Sequence, residues 1–228
     1  MIKSNNKTFS CREDCFRECV TDMSALLLRS IEKYGKASFA VSGGRTPEHI
    51  FPLLANKHLP WGQVSITLAD ERWVEHQHPD SNEGLARRLL MQGPAVAARL
   101  IGLKTSADNP FDGQEKCEMA LAGLDWPLDG IFLGMGEDGH IASLFPGEAD
   151  WLDVTARTFP VAASGQRQAR ISLTPKAILD CRHIFLVIAG SQKRVTYDAA
   201  MQPGPVGELP VRLIIHQKLV PVTVYTLD

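Results

Sequence analysis

The stretch VSGGRTPEHI, residues 41–50, packs a β-branched residue, two glycines, a cation and a Thr-Pro pair into one turn. The residues before it, 37–41, read as a short apolar strand, and those from Pro47 to Ala55 read as a helix. A strand that breaks on glycines and restarts as a helix is the unit of an α/β sheet. Its turn also presents free backbone amides, which attract oxyanions. On its own the stretch fits either a phosphate cradle or an ordinary strand-to-helix turn. Thr46 is positioned to cap the helix, Pro47 suits its first residue, and Arg45 would add charge to a bound anion. The pattern is neither a Walker loop nor a dinucleotide fingerprint.

The same alternation continues along the chain. An amphipathic helix is expected over 10–34, with Phe16, Cys19, Val20, Met23, Leu26, Leu27, Ile31 and Tyr34 on one stripe and Gly35 ending it. Strands are expected at 64–69, 99–103, 130–133, 170–173, 183–189 and 222–227. Helices are expected at 82–91, 111–122, 175–179, 191–201 and 209–218; residues 146–169 carry no clear period. Strands alternating with helices imply parallel pairing through right-handed crossovers. The expected fold is a Rossmann-like three-layer α/β/α sandwich with a mostly parallel sheet, formed by one domain over residues 1–228.

The 228 residues carry 24 Lys and Arg against 26 Asp and Glu, a net charge of −2. No global field draws nucleic acid or acidic lipid, so an anion site has to be built locally. The four tryptophans show neither stacking periodicity nor basic interleaving, which argues against nucleic acid. The polar start MIKSNNKTFS lacks the apolar segment of a signal peptide, and no run spans a bilayer, so no membrane association is expected. Five cysteines without paired spacing point to reduced thiols and a cytoplasmic protein. Cys11, Cys15 and Cys19 share one helix stripe and read as small hydrophobes. Nothing in the sequence specifies an oligomeric state.

Ligands of such sheets gather beyond the carboxyl ends of the strands. Four loops follow strands: SGGRTP (42–47), DERW (70–73), GMGEDGH (134–140) and GSQKR (190–194). Arg72, at a strand end, suits a phosphate through its forked guanidinium. Glu71 reads as a salt-bridged loop residue. Asp80-Ser81-Asn82 reads as a helix cap, and His76 and His78 as solvated loop residues. In the third loop His140 can act as a general base, and Asp138 can hold its tautomer. Lys193 opens a helix, where a cation opposes the dipole, and so is expected to face an anion. Arg194 reads as solvated, and Arg170 opens a strand that can reach the same edge.

Together, SGGRTP, LADERWV with HPDSN, GMGEDGHIASLFPG, RISLT and IFLVIAGSQKR resemble the 6-phosphogluconolactonase family, from about residue 38 onward. The resemblance implies hydrolysis of a sugar-phosphate lactone, 6-phospho-D-glucono-1,5-lactone, with no metal and no coenzyme. It implies His140 as the base that activates water, supported by Asp138. It also implies that Ser42, Gly43, Gly44, Arg72, Arg170 and Lys193 line the substrate site. Ile141 departs from the family, which more often has threonine there. The related glucosamine-6-phosphate deaminases often read DGHIAFNEPG, with a glutamate five residues after the histidine. Phe145 stands at that position here and cannot do that work, which favours the lactonase. A deaminase-like isomerase and a non-catalytic sugar-phosphate binder are the competing expectations.

Overall fold

The computed structural model describes residues 4–227; the first three residues of the polar start and the last residue lie outside it. Its ten strands form two sheets. The larger has seven strands, all parallel, in the order β1 (Ser4–Phe9), β10 (Val222–Leu227), β9 (Ile184–Ala189), β6 (Gly130–Gly134), β2 (Ala37–Val41), β3 (Val64–Leu68), β5 (Arg99–Ile101). The smaller is antiparallel, in the order β4 (Asp70–Arg72), β8 (Arg170–Leu173), β7 (Thr158–Val161).

The middle strands read as continuous apolar runs because both of their faces are covered. β2 is buried at all five residues, and β9 at its first five. Each such Val, Leu, Ile or Phe contributes about 1.5–3 kcal/mol by leaving water. Helix α1 (Arg12–Tyr34) packs on β2, β10 and the next helix, α2 (Arg45–Ala55). Its buried stripe is Cys15, Phe16, Cys19, Val20, Met23, Leu27 and Ile31, and Gly35 ends it in a left-handed turn at φ 74°. Tyr34, expected on that stripe, is exposed, with the Lys33 ammonium over its ring.

Three expectations are corrected. Residues 170–173 do form a strand, but it belongs to the small antiparallel sheet, whose partner β7 comes from the stretch without a period. The expected helix over 209–218 shrinks to α7 (Arg212–Ile215). β1 was not expected at all: SNNKTF has no apolar alternation, because an edge strand has one open side. It is held by parallel pairing to β10 and by Lys7, whose ammonium lies 2.6 Å from both Glu18 and Asp22 on α1.

The remaining helices are α3 (Asn82–Leu89), α4 (Pro110–Leu121), α5 (Pro175–Leu179) and α6 (Ser191–Ala200). The first three start on side-chain caps: Ser81, as expected, Asn109 and Thr174. No helix is long and apolar enough to cross a membrane among the described residues. The five cysteines are unpaired. Burial pushes the thiols of Cys15, Cys117 and Cys181 up to about 11, 12 and 12, and Cys19 well above its ordinary value. Cys11, at the head of α1, is the partly exposed one.

Gly130 opens β6 against Phe39 and Leu26, and a Cβ there would lie 2.6 Å from the Phe39 ring. Gly130→Ala is expected to lower stability by about 1–3 kcal/mol through overpacking. Urea unfolding should show an earlier midpoint at an unchanged slope.

Candidate active site

The chain leaves β2 outward through β3 and β5, then returns to pair β6 on the other side of β2. Connections diverge there, so a crevice opens at the carboxyl ends of β2 and β6. A cavity of about 590 Å³ occupies that edge. All ten residues singled out in the sequence line it: Ser42, Gly43, Gly44, Arg45, Thr46, Arg72, Asp138, His140, Arg170 and Lys193.

The turn after β2 puts Gly44 at φ 104° before α2, a backbone that favours glycine. Gly44 is the cap residue and no side chain caps the helix, so Thr46 does not have the capping role expected of it. It sits in the first turn instead, and the leading amides of α2 are left without a side-chain acceptor. At Gly43 a Cβ would overlap the side-chain amide of Asn82, so only glycine lets strand end and α3 approach. Ser42 is 5% exposed, and its hydroxyl has no partner among the described residues.

The turn after β6 folds back on itself, with the Gly136 amide donating to the His140 carbonyl at 2.8 Å. Gly139 adopts φ 85° and Ala142 φ 48°. For alanine that backbone costs of order 1–3 kcal/mol and persists only because its surroundings impose it. The result is a close pair: His140 Nδ1 lies 2.5 Å from Asp138 Oδ1. A carboxylate only accepts, so Nδ1 carries the proton and Nε2 is left as the basic nitrogen. Burial alone would raise the Asp138 carboxyl, but the hydrogen bond and charge of His140 outweigh it and hold Asp138 below its ordinary range. The imidazole also rests against Phe145, ring centres 4.8 Å apart. The guanidinium groups of Arg167 and Arg170 lie over that same ring at 4.2 and 5.3 Å. Ile141 is fully buried in the core, so its side chain belongs to packing.

The small sheet delivers the other wall. Antiparallel register sets Arg72 directly opposite Arg170. Burial lowers the Arg170 pKa, while Asp70, 3.5 Å away, works to raise it. Lys193, in the first turn of α6, is lowered by burial and then by Arg45 nearby. The cavity therefore concentrates cations that repel one another, which favours an anion there. Arg194, expected to be solvated, pairs with Asp198 at 3.0 Å.

Two buried polar residues of the site escaped the sequence reading. Asp70, 5% exposed, accepts the Ser143 hydroxyl at 2.6 Å and the Asn82 amide at 3.1 Å. Asn82, read only as part of a cap, lines the cavity, and its Oδ1 has no partner among the described residues. The signal available was DER followed ten residues later by SN, both flanking one loop. Glu71 is corrected too: it is fully buried and takes part in no salt bridge among the described residues. Also among them, no cluster of three or more His, Cys, Asp or Glu is placed to hold a metal.

A parallel α/β sheet with a histidine–carboxylate pair facing a cationic pocket defines an enzyme-like anion site. The profile described as glucosamine-6-phosphate isomerases/6-phosphogluconolactonase matches residues 11–223, and the chain belongs to that family. It is 40% identical over 204 residues to a 6-phosphogluconolactonase of Mesorhizobium japonicum, covering 87% of this chain and 85% of that one. It is 38% identical over 203 residues to that of Pseudomonas putida, covering 87% and 84%. The solved 6-phosphogluconolactonase of Shewanella baltica superposes with a TM-score of 0.96 at 35% identity over the whole of both chains. A monomeric glucosamine-6-phosphate deaminase shares the fold at a TM-score of 0.82 and 17% identity, covering 98% of this chain and 97% of that one.

The Asp138–His140 contact makes a spectroscopic prediction. Wild-type protein is expected to show a strongly downfield Nδ1–H proton resonance. Asp138→Asn, which removes the charged acceptor, should shift it upfield or lose it to exchange. Gly136→Ala should do the same, because a Cβ at 136 would overlap the ring.

Proposed function

We propose that this chain is a 6-phosphogluconolactonase. It hydrolyses 6-phospho-D-glucono-1,5-lactone to 6-phospho-D-gluconate in the oxidative pentose phosphate pathway, in the cytoplasm, with no metal or coenzyme. The observation that carries the reading is the 2.5 Å His140–Asp138 contact on the wall of a cavity lined by Arg45, Arg72, Arg170 and Lys193. The names of its relatives at 38 and 40% identity agree.

A lactone carbonyl is already electrophilic, so a positioned water and a weak base suffice. His140 Nε2 takes a proton from that water as its oxygen attacks C1. Asp138 holds the ring and offsets the positive charge it gains. General-base assistance of this kind gives ~10²–10⁴-fold. The negative charge that develops on the carbonyl oxygen falls to glycine-loop amides or to Lys193. The imidazolium then returns its proton to the ring oxygen as the C1–O bond breaks. Ser42 lacks the G-x-S-x-G elbow and is not a nucleophile. The phosphate, remote from the reacting bond, supplies binding energy that fixes C1 in place.

Phe145 weighs against a deaminase. An apolar ring at 8% exposure, against the imidazole and under two guanidinium groups, cannot tune the histidine as a carboxylate would.

His140→Ala is expected to fold normally and lose at least ~10² in kcat. The check is an assay coupled to 6-phosphogluconate dehydrogenase, with spontaneous ring opening subtracted. A variant at the wild-type rate would remove the histidine from the mechanism. Arg72→Ala should raise KM for the phosphorylated lactone, and dialysis against EDTA should leave the wild-type rate unchanged. Release of ammonia from glucosamine 6-phosphate by the wild type would overturn the assignment. Tight 6-phosphogluconate binding without turnover would favour the non-catalytic binder.

A further inference from the structure

Glu71 is a fully buried carboxylate with no cation in salt-bridge range among the described residues. Its four hydrogen bonds all come from one loop. Oε1 accepts the amides of Arg72 and Asn82, each at 2.8 Å. Oε2 accepts the Glu83 amide at 2.7 Å and the Ser81 hydroxyl at 3.0 Å. Residue 72 is where the chain leaves β4, and 81–83 is where it joins α3. Glu71 thus closes the base of the 73–80 loop. Within that loop the Arg72 guanidinium reaches the Asp80 carbonyl at 2.5 Å.

Two residues that hang from this clasp, Arg72 and Asn82, line the cavity. Both bring polar atoms that the protein does not satisfy. Arg72 Nε and Asn82 Oδ1 are buried and have no partner among the described residues. The Asn82 amide cannot simply turn over, because its nitrogen is spent on the Asp70 carbonyl at 2.8 Å and the Asp70 carboxylate at 3.1 Å. Its oxygen is therefore held in one place with nothing to accept. A buried polar atom left open costs free energy, and a ligand that completes it recovers that cost.

We propose that Glu71 is a positioning residue for the phosphorylated substrate. It acts through Arg72 and Asn82, fixing the guanidinium to meet the phosphate and the amide oxygen to accept a sugar hydroxyl. Every partner of Glu71 is a donor, so each oxygen has to remain an acceptor. Burial pushes the carboxyl up to about 7, while the amides of Glu83, Asn82 and Arg72 and the Ser81 hydroxyl oppose that rise. Four donors compensate its desolvation, and all four belong to this loop and the helix start it joins. Gln has the same shape but turns one acceptor into a donor, which must face an N–H or the Ser81 hydroxyl. The clasp then opens on one side while the core packing stays.

The inference rests on the sugar-phosphate reading of the cavity, so two probes are titrated by calorimetry: 6-phosphogluconate and inorganic phosphate. For Glu71→Gln we expect the dissociation constant of 6-phosphogluconate to rise at least tenfold at unchanged stoichiometry. The phosphate constant should rise with it, and the circular dichroism spectrum should match wild type. A role confined to folding would lower the stoichiometry and leave the constants where they were, and that result overturns the proposal. If Glu71→Gln does not fold, Ser81→Ala removes one of the four donors and should weaken both ligands about threefold; unchanged constants there overturn it equally. Wild-type protein that binds phosphate but not 6-phosphogluconate would sink the assigned substrate, while the phosphate arm would still decide the role of Glu71. Wild-type protein that binds neither removes both.

Discussion

All seven strands of the central sheet run the same way, so their carboxyl ends share one edge. The chain reverses its direction of growth beside β2, and the connections on either side must part. Everything chemical about the molecule follows from that parting. It leaves room for ligand, surrounds the room with the turns that follow β2, β6 and β9, and exposes leading helix amides on its wall. The small antiparallel sheet then closes the edge like a second jaw, carrying Arg72 and Arg170 in register.

A chain with net charge −2 has to gather positive potential deliberately. Four cations line this cavity, and they are held close despite repulsion. Asp70 steadies one of them, Arg170, from within the core. The rest of the mutual repulsion is relieved when an anion binds, which makes binding energy a property of the lining itself. Polar atoms left open at Ser42, Arg72 and Asn82 add to it.

The turns after β2, β6 and β9 were legible because glycine, proline and single cations interrupt apolar runs there. Their convergence was legible from the carboxyl-edge rule alone. What stayed hidden has common physical causes. β1 and β7 lie in strands or stretches with no apolar alternation, because edge pairing needs only backbone groups. The Thr46 cap failed because propensity names a suitable residue, while the chain started α2 two residues earlier on a glycine. Asp70 was passed over, and Glu71 and Asn82 were misread, because a buried polar group looks like a surface one until its partners are known. Their partners lie across a loop, on the neighbouring strand or in a distant turn, and no local pattern reports that.

The thiols described with the fold have a practical side. A thiolate, not a thiol, reacts with alkylating agents and peroxide. Four of the five are sealed in the core with their protons held tightly, and only Cys11 meets solvent. The native chain therefore comes with a single attachment point for a fluorophore or spin label, at the head of α1, without any engineered substitution.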